Sequence, residues 1–340
     1  MATPPTTKKP RRISEMGSGE RLDDDIFLVT QKELRTASNG KLYIMLTIAD
    51  KTGQAQARIW DATQPLFDSI PLRGLAYVRG RTELYKSKLQ IIIDGVREAP
   101  AGAADPGDFL PSTQFDVEAM WGRLKEILRS IQHPDLLAIA GKFINDEAFA
   151  AAFKRSPAAV TNHHAFVGGL LEHTLGLLEL ALVVLPRYPR VNRDLVLCGI
   201  FLHDCGKTAE LTAATSFDYT SEGQLLGHIV QGVIWLQERA GQIAAERGKP
   251  VAADLLMALK HVLIAHHGKR EFGSPTLPAT AEAFMVHYLD NLDAKLNMVF
   301  AAIDGDVDEA SEWTPFVRAL ENRIYKGPRL PTPRPGPDSK

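Results

Sequence analysis

Cysteine is scarce in this chain of 340 residues: the two thiols are Cys198 and Cys205, both in the stretch LVLCGIFLHDCGK, which reads as buried. That excludes a disulfide-stapled secreted scaffold and points to a reducing, cytoplasmic compartment. An excess of one charge is also missing. Lys and Arg number 39 against 41 Asp and Glu, a formal net charge of −2, so affinity for nucleic acid or a membrane surface must come from local patches. No apolar segment follows Lys8, Lys9, Arg11 and Arg12, which removes a signal peptide and leaves a flexible basic tail over 1–19. The one run long enough to span a bilayer, 165–185, contains Glu172, His173, Thr174 and Glu179. Those groups are costly in lipid, so the run is expected as a buried helix, with no membrane partner. At 45% hydrophobic and 24% charged residues the chain is globular in composition, and its length suggests two domains.

What is present falls into two regimes. From Asp25 to Arg97 apolar and polar residues alternate through IFLVTQKEL, KLYIMLTIAD, GQAQARIWD, GLAYVRGRTELY and KLQIIIDGV, broken by the turn signals SNGK (38–41) and DKTG (50–53). Five period-two runs predict a small closed barrel over 20–99. The OB-fold is the commonest five-stranded barrel and an SH3-like barrel its rival. Arg58, Arg73, Arg79, Arg81, Lys86, Lys88 and Arg97 interleave with Tyr43, Trp60, Tyr77 and Tyr85. Aromatics beside a basic groove are how such barrels stack single strands; a solvated rim over core aromatics explains the same residues equally well.

After a Pro/Gly/Ala linker (100–114) the period changes. Val117, Met120, Trp121, Leu124, Ile127, Leu128 and Ile131 follow helical spacing, with Ser112 or Thr113 available as a cap. Helical patterns continue with short breaks to Arg318, so 115–322 is read as an all-α domain and the proline-rich 323–340 as an unpacked tail. No internal repeat is seen.

Nine of the ten histidines lie between His163 and His287. They cluster in NHHAFVGGLLEHT, FLHDCGK, LLGHIVQG, LIAHHG and VHYLDNLDAK, each on or beside an apolar helical run. One such histidine is more often a hydrogen-bonded core residue than a ligand. Five clusters in one domain would bury many unpaired polar groups at about 1–3 kcal/mol each, and a metal site removes that cost. The adjacent His203 and Asp204 let an imidazole and a carboxylate reach one ion while the second carboxylate oxygen serves a neighbour.

The order His173, His203-Asp204, His228, His266-His267, Asp290 resembles the HD-domain superfamily of metal-dependent phosphohydrolases. The two extra positions, His228 and His266, resemble its subgroup with a two-metal centre. With the barrel in front, residues from about 20 to 320 resemble the YhaM-type 3'→5' exoribonucleases. That resemblance implies an N-terminal OB-fold barrel followed by an all-α HD-domain bundle. It implies one ion on His173, His203, Asp204 and Asp290 and a second on Asp204, His228 and His266, with His267 as a further ligand or a donor to phosphate. The ions implied are two divalent metals, manganese favoured, with iron, cobalt, zinc or magnesium as alternatives. Asp204 and Lys207 take the catalytic roles. His163, His164 and Lys207 are expected at the substrate, and Trp60, Tyr77, Arg79, Arg81, Tyr85, Lys86 and Lys88 along the barrel. Asp293, one turn after Asp290, is expected to orient a histidine or to form a surface ion pair.

The activity implied is hydrolysis of single-stranded RNA from its 3' end by a metal-activated hydroxide, releasing 5'-nucleotides. Single-stranded DNA is the alternative polymer, because stacking does not read the 2'-hydroxyl. Two rivals remain: a phosphohydrolase acting on nucleotides or cyclic dinucleotides, and a non-catalytic RNA-binding protein. The absence of GYP near His228 weighs against hydrolysis of cyclic-di-GMP. Apolar stripes on the C-terminal helices suit either the core or a homo-oligomer interface.

Overall fold

The computed structural model describes residues 11–37, 40–85, 88–100, 102–104, 108–160, 165–213, 217–306 and 311–327. Each period-two run forms a strand: β1 (Arg21–Thr36), β2 (Leu42–Asp50), β3 (Gly53–Ile59), β4 (Gly74–Tyr85) and β5 (Lys88–Glu98). They close into a barrel in the order β1-β2-β3-β5-β4. β4 pairs back onto β1, and β3 with β5 is the parallel pair. This five-stranded order is that of an OB-fold, and it decides against the SH3-like alternative. Inward residues such as Ile44, Leu46, Ile48, Ala57, Ile59, Val78, Ile91 and Ile93 fill the barrel. At the bulge between Arg79 and Gly80 the β4 and β5 backbones come so close that a Cβ on Gly80 would stand 2.1 Å from the Ile92 carbonyl oxygen. Between β3 and β4 lies α1 (Gln64–Ser69), capped by Thr63.

The described residues of the expected flexible tail, from Arg11 on, and of the expected linker pack against the barrel; residues 1–10 of that tail lie outside the described residues. Ile13 and Met16 are buried in the barrel core, and the Ile13 N–H donates to Asp50 Oδ2 at 2.6 Å; two isolated apolar residues in a basic run gave no periodicity to find. Within the supposed linker, Phe109 and Leu110 are buried against Leu28, Ala49 and Leu75 of the barrel, with Val167 and Phe217 of the helical half packed on the same cluster. The Thr113 N–H donates to the Val167 carbonyl, the Val167 N–H to that of Pro111, and Arg73 pairs with Asp218 at 2.8 Å.

The helical half contains α2 (Val117–Arg129), α3 (Pro134–Ile144), α4 (Glu147–Arg155), α5 (Gly169–Val184), α6 (Arg193–Leu202), α7 (Lys207–Glu210), α8 (Ser221–Arg247), α9 (Ala253–Ala265) and α10 (Ala281–Asp304). The α2 cap is Asp116, whose side chain accepts from the Ala119 N–H. Of Ser112 and Thr113, the two residues expected in that role, Thr113 instead donates to Glu172 at 2.6 Å. The 165–185 run becomes α5, apolar on most sides because α2, α4, α6 and α10 surround it. The domain is not purely helical. Hairpins β6 (Leu211–Ala213) with β7 (Phe217–Tyr219) and β8 (Trp313–Val317) with β9 (Asn322–Tyr325) are too short for a periodicity to show. β9 occupies the start of the segment expected as a tail, whose remainder from residue 328 lies outside the described residues.

Candidate metal centre and nucleic-acid face

Six chain segments deliver one polar cluster. His173 lies in the second turn of α5, which begins after Gly168 at φ 85; a Cβ there would meet Thr113 Cγ2 at 2.8 Å. His203 caps α6, and Asp204-Cys205-Gly206 turns the chain into α7. Gly206 lets this turn approach α8, where a Cβ would lie 2.1 Å from the His228 carbonyl oxygen. α8 itself is kinked at Gly227 (φ 72, ψ 158), immediately before His228. His266 caps α9, and Asp290 and Asp293 share a face of α10. Past His267 the chain turns at Gly268 (φ 76), in the space next to the His287 ring, and His287 Nδ1 donates to the His266 carbonyl at 2.8 Å.

The imidazoles are clamped from behind. His203 Nδ1 donates to the Ile200 carbonyl and His266 Nδ1 to the Leu263 carbonyl, each at 2.7 Å. Since a carbonyl only accepts, Nδ1 carries the proton and Nε2 keeps its lone pair whenever the ring is neutral. His173 Nδ1 is held by Asp293 at 2.8 Å and His228 Nδ1 by Glu210 at 2.9 Å. All four Nε2 atoms point at two carboxylates. Asp204 Oδ2 lies 3.3 Å from His203 Nε2 and 3.9 Å from His173 Nε2, and Asp290 Oδ1 lies 3.3 Å from His173 Nε2. Asp204 Oδ1 lies 3.4 Å from His228 Nε2 and 3.6 Å from His266 Nε2. One carboxylate thus faces two imidazole groups, one with each oxygen.

Burial sharpens the chemistry. Asp204 Oδ1, His228 Nε2, His266 Nε2 and His267 Nδ1 are all buried without a hydrogen-bond partner, a costly arrangement for polar atoms. Asp204, His228, His266 and His267 converge as one donor group, and His173, His203 and Asp204 as another. Imidazole nitrogens and a carboxylate oxygen that no hydrogen bond engages are what a divalent cation takes, so the residues fit the metal their type and order implied.

The electrostatics point the same way. Burial alone would raise the Asp204 pKa, but Lys207, whose Nζ lies 2.7 Å from Oδ2, and His203 hold it well below the carboxylate range. Asp290 is likewise lowered against burial, chiefly by His173. Burial works to lower the His173 pKa, yet Asp290 and Asp293 overcome it and lift it to about 9. His266 is driven well below its usual value by burial and by His267, and His267 is lowered by burial and by His228. Glu210 is lowered by its bond to His228 despite burial. Both cysteines are buried in the core, with thiol pKa values raised by burial, and neither joins a donor group among the described residues.

Glu210 is the site residue that the sequence reading lacked; only its place in the short helix after HDCGK offered a signal. His163, His164 and Lys86 lie outside the described residues, and so does the side chain of Lys88 on β5.

On the barrel, β4 turns Tyr77, Arg79, Arg81 and Tyr85 outward while Ala76, Val78, Gly80 and Thr82 point in. At about 3.3 Å per residue this row is about 26 Å long. Its Tyr77 end begins two residues from Leu75 in the junction cluster. Near the far end the Arg58 guanidinium lies over both the Trp60 ring (5.6 Å) and the Tyr85 ring (5.3 Å), and Tyr43 lies 5.2 Å from Trp60. Arg97 stacks on Tyr77 at 3.9 Å. Trp60 and Tyr85 are each about half exposed, so they belong to the surface and not to the core.

Residues 170–295 match the family model described as the HD domain. The 3'-5' exoribonuclease YhaM of Geobacillus sp. (strain WCH70) is 36% identical over 313 residues, covering 91% of this chain and 93% of that protein. The protein of the same name from Bacillus velezensis (strain DSM 23117 / BGSC 10A6 / LMG 26770 / FZB42) is 34% identical, covering 91% and 96%. Among solved structures, the second OB-fold domain of replication protein A from Methanococcus maripaludis aligns over 27% of this chain and 97% of its own, at 20% identity and a TM-score of 0.22. The barrel's assignment rests on its own strand order.

Two outcomes follow from the clamps and the charges. Glu210→Gln removes the carboxylate behind His228, so affinity for a divalent ion at the His228 group should fall about 10–100-fold, read by calorimetric titration, while that of the His173 group is retained. At neutral pH the metal-free His173 carries a proton that an ion must displace, because its pKa stands at about 9. Apparent affinity at the His173 group should therefore rise with pH, by about tenfold per unit up to roughly pH 9, and level off above. An affinity independent of pH between 7 and 9 would contradict that assignment.

Proposed function

Because the chain belongs to the family of the 3'-5' exoribonuclease YhaM, we propose that it is a metal-dependent 3'→5' exoribonuclease that shortens single-stranded RNA and releases 5'-nucleotides. The observation that carries this reading is Asp204, a buried carboxylate with each oxygen turned to a different imidazole group.

In this reading His173, His203, Asp204 and Asp290 hold one divalent ion, and Asp204, His228, His266 and His267 hold the other. Bound there, the ions would lower the pKa of the attacking water and neutralise charge on the phosphoryl and leaving oxygens. Manganese is our assignment. Iron, cobalt and zinc suit the same nitrogen and oxygen donors, and the number of imidazoles argues against magnesium alone.

The chain's own residues do the rest. Asp293 and Glu210 keep two imidazoles in the orientation and tautomer that leave Nε2 free, and the Ile200 and Leu263 carbonyls do so for the other two. The Lys207 ammonium, held beside Asp204 by their ion pair, offers fixed positive charge to the phosphate as negative charge develops. Asp204 has no proton to give, being ionised far below neutral pH.

The barrel supplies the strand. Tyr85 with Trp60 near it, and Tyr77 at the other end of the row, offer rings for stacking, and Arg58, Arg79 and Arg81 offer charge to the backbone, a combination tolerant of sequence. A strand held there keeps its 3' end at high effective concentration near the centre. The same contacts admit single-stranded DNA, since none reads the 2'-hydroxyl. Two buried thiols suit a reducing cytoplasm.

The test is a time course on 5'-labelled single-stranded RNA with manganese. The expected result is a descending ladder with nucleoside 5'-monophosphate as product, abolished by a 3'-terminal block and by Asp204→Ala, while the Asp204→Ala protein still binds the RNA. Intact RNA in the presence of bound metal, or internal fragments from 3'-blocked RNA, would overturn the reading.

A further inference from the structure

The core of the helical half ends before its last helix does. Among the described residues the fully buried apolar side chains stop at Leu289, yet α10 runs on to Asp304 and is followed by the β8–β9 hairpin, which packs on that same projecting half. Lys295 ties the two together by donating to the Ala319 carbonyl at 2.9 Å. Along its whole length α10 exposes one apolar ridge. Phe284, Tyr288, Leu292, Leu296 and Phe300 stand at every fourth residue of α10, each between 44% and 62% exposed, and Trp313, Phe316 and Tyr325 of the hairpin are exposed to a similar degree.

Side chains four residues apart form one of the ridges by which helices pack, and two such ridges interlock when the axes cross at about −50°. We infer that α10 is the interface between two copies of this chain, paired about a two-fold axis near Leu292. The ridge is self-complementary about that point. Tyr288 meets Leu296 of the partner subunit and Phe284 meets Phe300 of the partner subunit, with the reciprocal pairs on the other side, as an isologous contact requires.

Side-chain size follows the same geometry. Axes crossing at that angle open from about 9 Å at the centre to about 14 Å some 12 Å along each helix, and the ridge carries leucine at its middle and phenylalanine at both ends. The area is also adequate. At about 200 Å² per fully exposed aromatic, the exposed parts of the ridge come to about 500 Å² on each copy, about 1,000 Å² over the pair, the size that a specific interface clears.

The measurement is the solution mass of the full chain by sedimentation equilibrium at micromolar concentration. The wild-type protein should sediment at twice the chain mass of 37.4 kDa. The double substitution Leu296→Asp, Phe300→Asp should sediment at the single mass, with unchanged circular dichroism and unchanged hydrolysis of a short oligonucleotide. As a test that does not depend on disruption, Leu292→Cys should be joined at twice the mass by a short bis-maleimide, since both native thiols are buried. A wild-type monomer, a double variant that keeps the wild-type mass, or a Leu292→Cys protein that stays uncrosslinked would each overturn the inference.

Discussion

A carboxylate taken out of water among imidazoles needs positive charge against both of its oxygens, and the helical half of this chain is arranged around that requirement at Asp204. Ionised and buried, the group meets Lys207 on one oxygen and leaves the other, Oδ1, without a hydrogen-bond partner beside His228 and His266. Desolvating a charge costs several kcal/mol in a protein interior. A fold keeps such a group where the compensating charge comes from a bound cation, and the donor types on each side of Asp204 suit one.

The surrounding structure reads as a consequence. Four imidazoles are fixed through Nδ1 by two carbonyls and two carboxylates, so that every Nε2 faces inward. Gly206 brings the HD turn against the α8 backbone, and the kink at Gly227 turns the N–H and Nδ1 of His228 toward one carboxylate, Glu210. α5, α6, α9 and α10 converge because their apolar residues share one core, and the polar cluster lies where those helices present their histidines and aspartates. The barrel joins through Phe109 and Leu110, with its outward tyrosine and arginine row beginning beside that joint.

Much of this was legible before any coordinates. Period-two runs bounded by turn signals marked all five strands, because the two faces of a barrel wall differ in burial along much of each strand. The histidine and aspartate order marked the centre, and the spacing of Asp290 and Asp293 placed both on one helical face. The misses share a cause. Glu210 serves His228, eighteen positions away, and only a kinked helix brings them together. Ile13, Met16, Phe109 and Leu110 are single apolar anchors in polar or proline-rich context, where no period exists to detect. Thr113 gave up its capping role to Glu172, a partner that the chain's return at Val167 supplies. The two hairpins have strands of five residues or fewer, below what alternation can register.

The central claim is that Asp204 is shared by two ions, and anomalous diffraction from crystals grown with manganese tests it directly. The account predicts two anomalous peaks about 3.5–4 Å apart, one on each side of the Asp204 carboxylate, the first against His173 and Asp290 and the second against His228 and His266. A single peak, or a pair that Asp204 does not bridge, would contradict it.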